Sequence, residues 1–280
     1  MANCANCGSP ITEAEDRCLT CAFSIGFPNV RAAEAEQAAL AIRYESVFEV
    51  AKRQGGHDAL IKFDESMKKT FAVINVDLDF LSFFLSDAEN LYSTYQLGVK
   101  SQTRKAAAAE NDRHRVGVEG TLFGTYGEKI RYAALSLDGT GLKSYGEYSI
   151  KLREIAVKDR ASLLEENTYD FVEHQGIIAG HSSPLGYRAV WIERHKLAVA
   201  KLGEGILHDT KEDDHARLLL SSGSKRTDDE FIEVHIFGPL DQNAIESVKG
   251  KSNFEEDPER AMSANAKELL QKAGKSWVEE

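Results

Sequence analysis

The sequence predicts an α+β protein in which an N-terminal zinc ribbon and a helical module precede a strand-rich domain. Three observations predict this class. All four cysteines fall within the first 21 residues, as two Cys-x2-Cys pairs. From about residue 30 to 98, apolar residues recur at intervals of three and four. Beyond Lys129 the pattern changes to alternation interrupted by turn residues. The divisions that follow are 1–28 for the ribbon, 29–98 for the helical module, 99–128 for a linker, and 129–280 for the strand-rich domain with its C-terminal helix.

The chain has 280 residues, of which 42% are hydrophobic, enough to bury a core in one large or two modest units. Its formal charge of −11 argues against a protein that coats nucleic acid through its overall field. No apolar run approaches the ~18 residues of a membrane span, and the first residues lack the basic and apolar regions of a signal peptide. The expectation is a cytoplasmic protein with no membrane partner.

Cys4-Ala-Asn-Cys7 and Cys18-Leu-Thr-Cys21 are separated by ten residues. A Cys-x2-Cys pair on a tight knuckle turns two sulfurs toward one metal, and two such knuckles close a tetrahedral four-thiolate shell of the kind Zn²⁺ takes. With no open coordination position, that Zn²⁺ is structural. Two disulfides are the rival reading, which a reducing compartment disfavours. The apolar side chains of the first 25 residues are few, chiefly Ile11, Leu19, Phe23 and Ile25. Metal binding should therefore supply the folding energy of this segment. The expectation is that chelation unfolds the ribbon locally while the domain beyond Lys129 keeps its own melt.

After a break at Phe27-Pro28-Asn29, a helix is expected from Ala32 to Gln54, stopped by Gly55-Gly56. Phe71, Ile74, Leu78, Leu81 and Leu85 form a second helical stripe, and Ser86-x-x-Glu89 reads as a capping box that restarts a helix. Asp77 and Asp79 lie two residues apart, do not share a helix face, and read as solvated. Lys100 to Arg115 is locally basic, either a connector or an arm for phosphates.

The stretch from Lys129 to Thr168 carries strand patterning at Ile130 to Leu137, Tyr148 to Leu152 and Arg160 to Leu164, with Asp138-Gly-Thr-Gly141 as a turn. A turn at Ser182 to Gly186, a strand from Tyr187 to Ile192 and a helix from Glu193 to Leu202 follow. His208 to Glu230 is polar and crosses the surface. Phe231 to Phe237 is a strand closed by Gly238-Pro239, and Asp257-Pro258 opens a C-terminal helix that stops at Gly274. Alternation places Glu233 and His235 on one face of the 231–237 strand, with Ile232, Val234 and Ile236 on the core face.

The order of Ile130-Arg-Tyr132, Arg160-Ala-Ser162 and Phe231-Ile-Glu233 resembles the ADP-ribosyltransferase fold over roughly residues 129 to 248. The Tyr145-Gly146 segment, the Arg-x-Ser segment and the late Glu-Val-His strand are similar to a group of uncharacterised bacterial proteins. The resemblance implies a bacterial toxin or defence effector that cleaves NAD and modifies a protein or nucleic-acid acceptor. It implies that Arg131, Tyr145 and Ser162 bind NAD, and that Glu233, with Arg131 and Ser162, is catalytic by stabilising the oxocarbenium ion as nicotinamide leaves. The chain departs from that family in lacking a Ser-Thr-Ser triplet and in carrying Phe231 two residues before Glu233.

Other signatures are absent: there is no phosphate-cradling Lys-Ser/Thr loop, no Gly-x-Ser-x-Gly elbow and no His-Glu-x-x-His. Two further readings stay open. One is a nuclease using His174, His181, His195 or His235 with a carboxylate and no metal. The other is a non-enzymatic zinc-ribbon adaptor for protein or nucleic acid. A cleft joining Arg131, Ser162 and Glu233 would favour chemistry, and their dispersal would favour the adaptor.

Overall fold

The computed structural model describes residues 3–94, 117–178, 183–251 and 257–280. The basic segment 100–115 and His181 lie outside the described residues. The frame is an eight-stranded sheet in the order β5-β4-β6-β2-β1-β3-β7-β8. In chain order the strands are β1 (Phe71–Val76), β2 (Ile130–Ser136), β3 (Tyr148–Leu152), β4 (Ala161–Leu164), β5 (Arg188–Val190), β6 (Glu233–Phe237), β7 (Ile245–Gly250) and β8 (Ser276–Glu279). All neighbours are antiparallel except β7 and β8, which are parallel and joined by a crossover helix. The helices include α1 (Pro28–Glu34), α2 (Gln37–Gln54), α3 (His57–Met67), α4 (Leu78–Ser86), α5 (Thr168–His174), α6 (Arg194–Leu202), α7 (His215–Leu219) and α8 (Asp257–Lys272). The α+β class is therefore as the sequence predicts.

The two sheet faces follow from the register. Val234 and Ile236 of β6 share a face with Ala133 of β2 and with Leu163 and Ala161 of β4. That face meets α2, α3, α4, α6 and α8 in one core that runs from Leu40 to Leu270. On the opposite face Ile130, Leu164 and Phe237 pack against Phe171 and Val172 of α5 and against Val118, Leu122, Phe123 and Tyr126. The last four belong to a helical stretch, 117–123, and the helical turn Gly124–Lys129 after it. The molecule thus has three layers, and both faces of the central strands are buried.

Several local expectations are corrected. The helix read across Phe71 to Leu85 is a strand followed by a helix. Phe71-Ala-Val-Ile-Asn-Val76 is rich in β-branched residues and sits between β2 and β3. A strand buried on both faces loses its period of two, so Phe71 and Ile74 fall in step with the true stripe of α4 by coincidence. Asp77 and Asp79 are exposed, as read.

No helix restarts after Ser86, within the residues described up to 94. The Ser86 hydroxyl donates back to the Phe83 carbonyl (2.7 Å), and the Asp87 carboxylate accepts from the Glu89 N–H (2.9 Å), which makes a turn. Between Pro28 and Gln54 there are two helices instead of one. Pro28 occupies the first position of α1, where its missing N–H costs nothing, so the helix starts within the Phe27-Pro28-Asn29 break and not at Ala32.

Candidate functional site

The ribbon is built from two nearly identical knuckles. In the first, the Gly8 N–H donates to the Cys4 carbonyl (2.8 Å) and the Cys4 N–H to the Ser9 carbonyl (2.8 Å). In the second, the Ala22 N–H donates to the Cys18 carbonyl (2.8 Å) and the Cys18 N–H to the Phe23 carbonyl (2.9 Å). Both need a left-handed residue after the second cysteine, supplied by Gly8 (φ 73°) and Ala22 (φ 57°).

This places the sulfurs of Cys4, Cys7, Cys18 and Cys21 within 4.8 Å of one another. The Cys4–Cys21 and Cys7–Cys18 Sγ separations are 3.7 and 3.6 Å. A tetrahedron with metal–sulfur bonds of ~2.3 Å has edges of about 3.8 Å, so the four atoms fit one Zn²⁺. Hydrogen bonds from the Ser9 side chain and N–H bring the Cys7 thiol down to about 6, which favours the thiolate a metal takes. At Cys4 the Cys7 N–H lowers the value, but burial and the neighbouring sulfurs push it up to about 11. A divalent cation would relieve that crowding. The chemistry such an ion supplies here is structural, because all four positions are taken by protein.

Arg31 of α1 holds the ribbon to the body. Its guanidinium donates to the carbonyls of Thr12 (3.3 Å), Glu13 (3.0 Å), Glu15 (3.0 Å), Ile25 (3.3 Å) and Gly26. Lys129 pairs with Glu15 (3.2 Å), and the Phe27 ring lies 5.5 Å from that of Phe237.

The second constellation lies on the sheet face that carries Glu233. Instead of facing a cleft, Glu233 is 6% exposed on a strand between β4 and β2. Its Oε2 accepts from the Thr168 N–H (2.9 Å), from the Thr168 hydroxyl and from His235 Nε2 (2.8 Å). His235 Nε2 also lies 3.0 Å from the Thr168 hydroxyl oxygen, and the edge-on rings of Phe123 and Tyr132 sit 4.8 and 5.5 Å from the imidazole.

The three groups make a triangle on a single ring nitrogen. A catalytic relay uses both imidazole nitrogens, one to take the hydroxyl proton and the other to be held by the carboxylate. The triangle instead gives the buried Glu233 side chain its hydrogen-bond partners, as a buried polar group requires.

Three of the four residues expected around NAD share this face. Ser162 stands opposite His235 and accepts from the Asn29 side-chain amide (3.2 Å). The Tyr145 hydroxyl lies 3.4 Å from Asn167, the residue before Thr168. Arg131 does not join them. It pairs in register with Ile236 and so lies on the other face of the sheet, where Nη1 donates to its own neighbours' carbonyls at Glu128 (3.0 Å) and Ile130 (3.2 Å). Burial lowers its pKa.

A cavity of about 590 Å³ among the described residues is lined by Arg153, Ile155, Ile245, Gly274 and Lys275 and touches none of these residues. The described histidines read as nuclease candidates are also scattered. His174 pairs with Glu166 on the surface (2.7 Å), His195 packs edge-on to Tyr44, and His235 is in the triangle. Sequence reasoning missed Asn29, Arg31 and Thr168, whose polar roles depend on partners far away in the chain. No helix among the described residues is long and apolar enough to cross a membrane. No protein-family model matches the sequence, and no curated protein matches it.

Proposed function

We propose that this chain is a zinc-ribbon adaptor, a sheet body that presents a metal-closed ribbon to a partner protein. The observation that carries the reading is the contrast between the four converging cysteine sulfurs and the NAD candidates, whose Arg131 lies on the opposite face of the sheet from Glu233 and Ser162. On the second knuckle Leu19 and Phe23 are 76% and 47% exposed, which suits an apolar protein contact better than phosphates. The charge of −11 points the same way.

A second reading, an NAD-dependent ADP-ribosyltransferase acting as a toxin or defence effector, is favoured by one observation: Glu233, Ser162 and Tyr145 share one face. Mass spectrometry of NAD incubated with wild type and with Glu233→Gln separates the two. The adaptor reading expects no nicotinamide from either protein, about one equivalent of zinc in both, and about 2 kcal/mol of lost stability in the variant from its weakened charged hydrogen bonds. Nicotinamide released by wild type and abolished in a folded Glu233→Gln would overturn it in favour of the transferase.

A further inference from the structure

We infer that zinc occupancy of the ribbon is energetically coupled to the β4–β6 region of the sheet through α1, so that the metal acts on the body as an effector as well as holding the ribbon. This rests on the zinc reading above and goes beyond it. It also replaces the expectation of a ribbon that unfolds by itself.

The coupling path is short. α1 is seven residues long and lies between the two parts. Arg31 reaches the ribbon, donating to carbonyls of the segment between the two knuckles, at Thr12, Glu13 and Glu15, and of the segment between the second knuckle and the helix, at Ile25 and Gly26. Residues two apart point to different sides of a helix. Asn29 therefore reaches the sheet, and its buried amide donates to the carbonyls of Arg160 (3.1 Å) and His235 (2.9 Å) as well as to Ser162.

The carbonyls that Arg31 needs are held in place only while the ribbon is folded, and the ribbon has too small an apolar core to fold without its metal. Loss of zinc therefore leaves a half-buried guanidinium without acceptors, which disfavours the present seat of α1 and with it the Asn29 contacts to β4 and β6. The effect is reciprocal: if zinc tightens the sheet, an intact α1 must tighten zinc by the same factor. Lysine cannot replace Arg31, because one ammonium has three donors and no planar fork to span five carbonyls.

The test uses the full chain. Zinc content comes first: less than about half an equivalent overturns the metal reading itself. With zinc bound, hydrogen exchange is compared before and after chelation. We expect amides of residues 161–164 and 233–237 to exchange about tenfold faster in the metal-free protein, a coupling of ~1.4 kcal/mol; acceleration confined to residues 3–26 overturns the coupling while leaving the zinc site standing. Competition with a chromophoric chelator should show zinc held about tenfold more weakly by Arg31→Ala and by Arg31→Lys. Unchanged affinity in both variants overturns the role of Arg31. Should either variant fail to fold, the wild-type exchange comparison decides the matter without it.

Discussion

At the scale of residues, the ribbon shows which information is local. The cysteine spacing alone names the four candidate ligands because a Cys-x2-Cys knuckle closes within five residues. The partners of Glu233 are not local, since Thr168 is 65 positions away. Asn29 is further still from its acceptor, 206 positions from His235. Ala22 offers a test at this scale. It is the single non-glycine residue with positive φ among those described, in the place that Gly8 takes in the first knuckle. A left-handed alanine costs about 1–2 kcal/mol. Part of that is offset by the greater freedom of glycine in the unfolded chain. Ala22→Gly should therefore stabilise the metal-bound ribbon by about 0.5–1 kcal/mol, read as slower zinc loss to a chelator; faster loss would show that the knuckle is not strained there.

At the scale of elements, legibility depended on how many faces were buried. β2, β3 and β4 stand close to their predicted bounds because turn residues punctuate them: Asp138-Gly-Thr-Gly141 after β2 and Asn167 at the start of α5. β6 begins at Glu233, two residues later than expected. β1 was not legible, since a strand at the centre of a three-layer body shows no alternation, and its correct neighbours are set by pairings with β2 and β3 that lie more than 50 residues on. The loop between β2 and β3 also lies on β1. Gly146 has φ 147°, and a Cβ there would fall 2.3 Å from the Val76 carbonyl carbon, while its own carbonyl accepts from the Asn75 amide (2.9 Å). Neither loop nor central strand can yield cheaply. Gly146→Ala should cost about 3 kcal/mol or more in a urea titration, at the severe end of single substitutions; a loss under about 1 kcal/mol would mean that the loop does not rest on β1.

At the scale of the molecule, the side of the sheet on which Arg131 lies is a matter of parity. Arg131 and Glu233 fall on opposite faces because Arg131 pairs with Ile236, an odd number of residues from Glu233, and no pattern within either segment reveals that register. The helical layer on the Arg131 face carries its own consequence for pH. His195 and His215 both pack against α3, His195 beside Tyr44 and Asp64, and His215 edge-on to Phe63 with Nδ1 2.9 Å from the Ser66 hydroxyl. Burial lowers both pKa values below the ordinary 6.5. At His195 Asp64 opposes this, while Lys68, Lys196 and Arg194 add to it; at His215 Glu212 and Asp214 oppose it and Lys62 adds. Below 6.5 the unfolded chain then binds protons that the folded chain refuses, so stability falls as pH drops through that value toward the folded pKa values. Surface His174 has the opposite sign. Its hydrogen bond to Glu166 raises its pKa, and the stability it adds is lost as pH rises. Carboxylates titrate mainly below this window, near 4. At saturating zinc, the urea midpoint should decrease from pH 7.5 to pH 5.5, and the doubly substituted His195→Gln, His215→Gln protein should lose most of that decrease. A wild-type midpoint that is flat across the window, or a slope unchanged in the double variant, would show that acid does not loosen the molecule through α3.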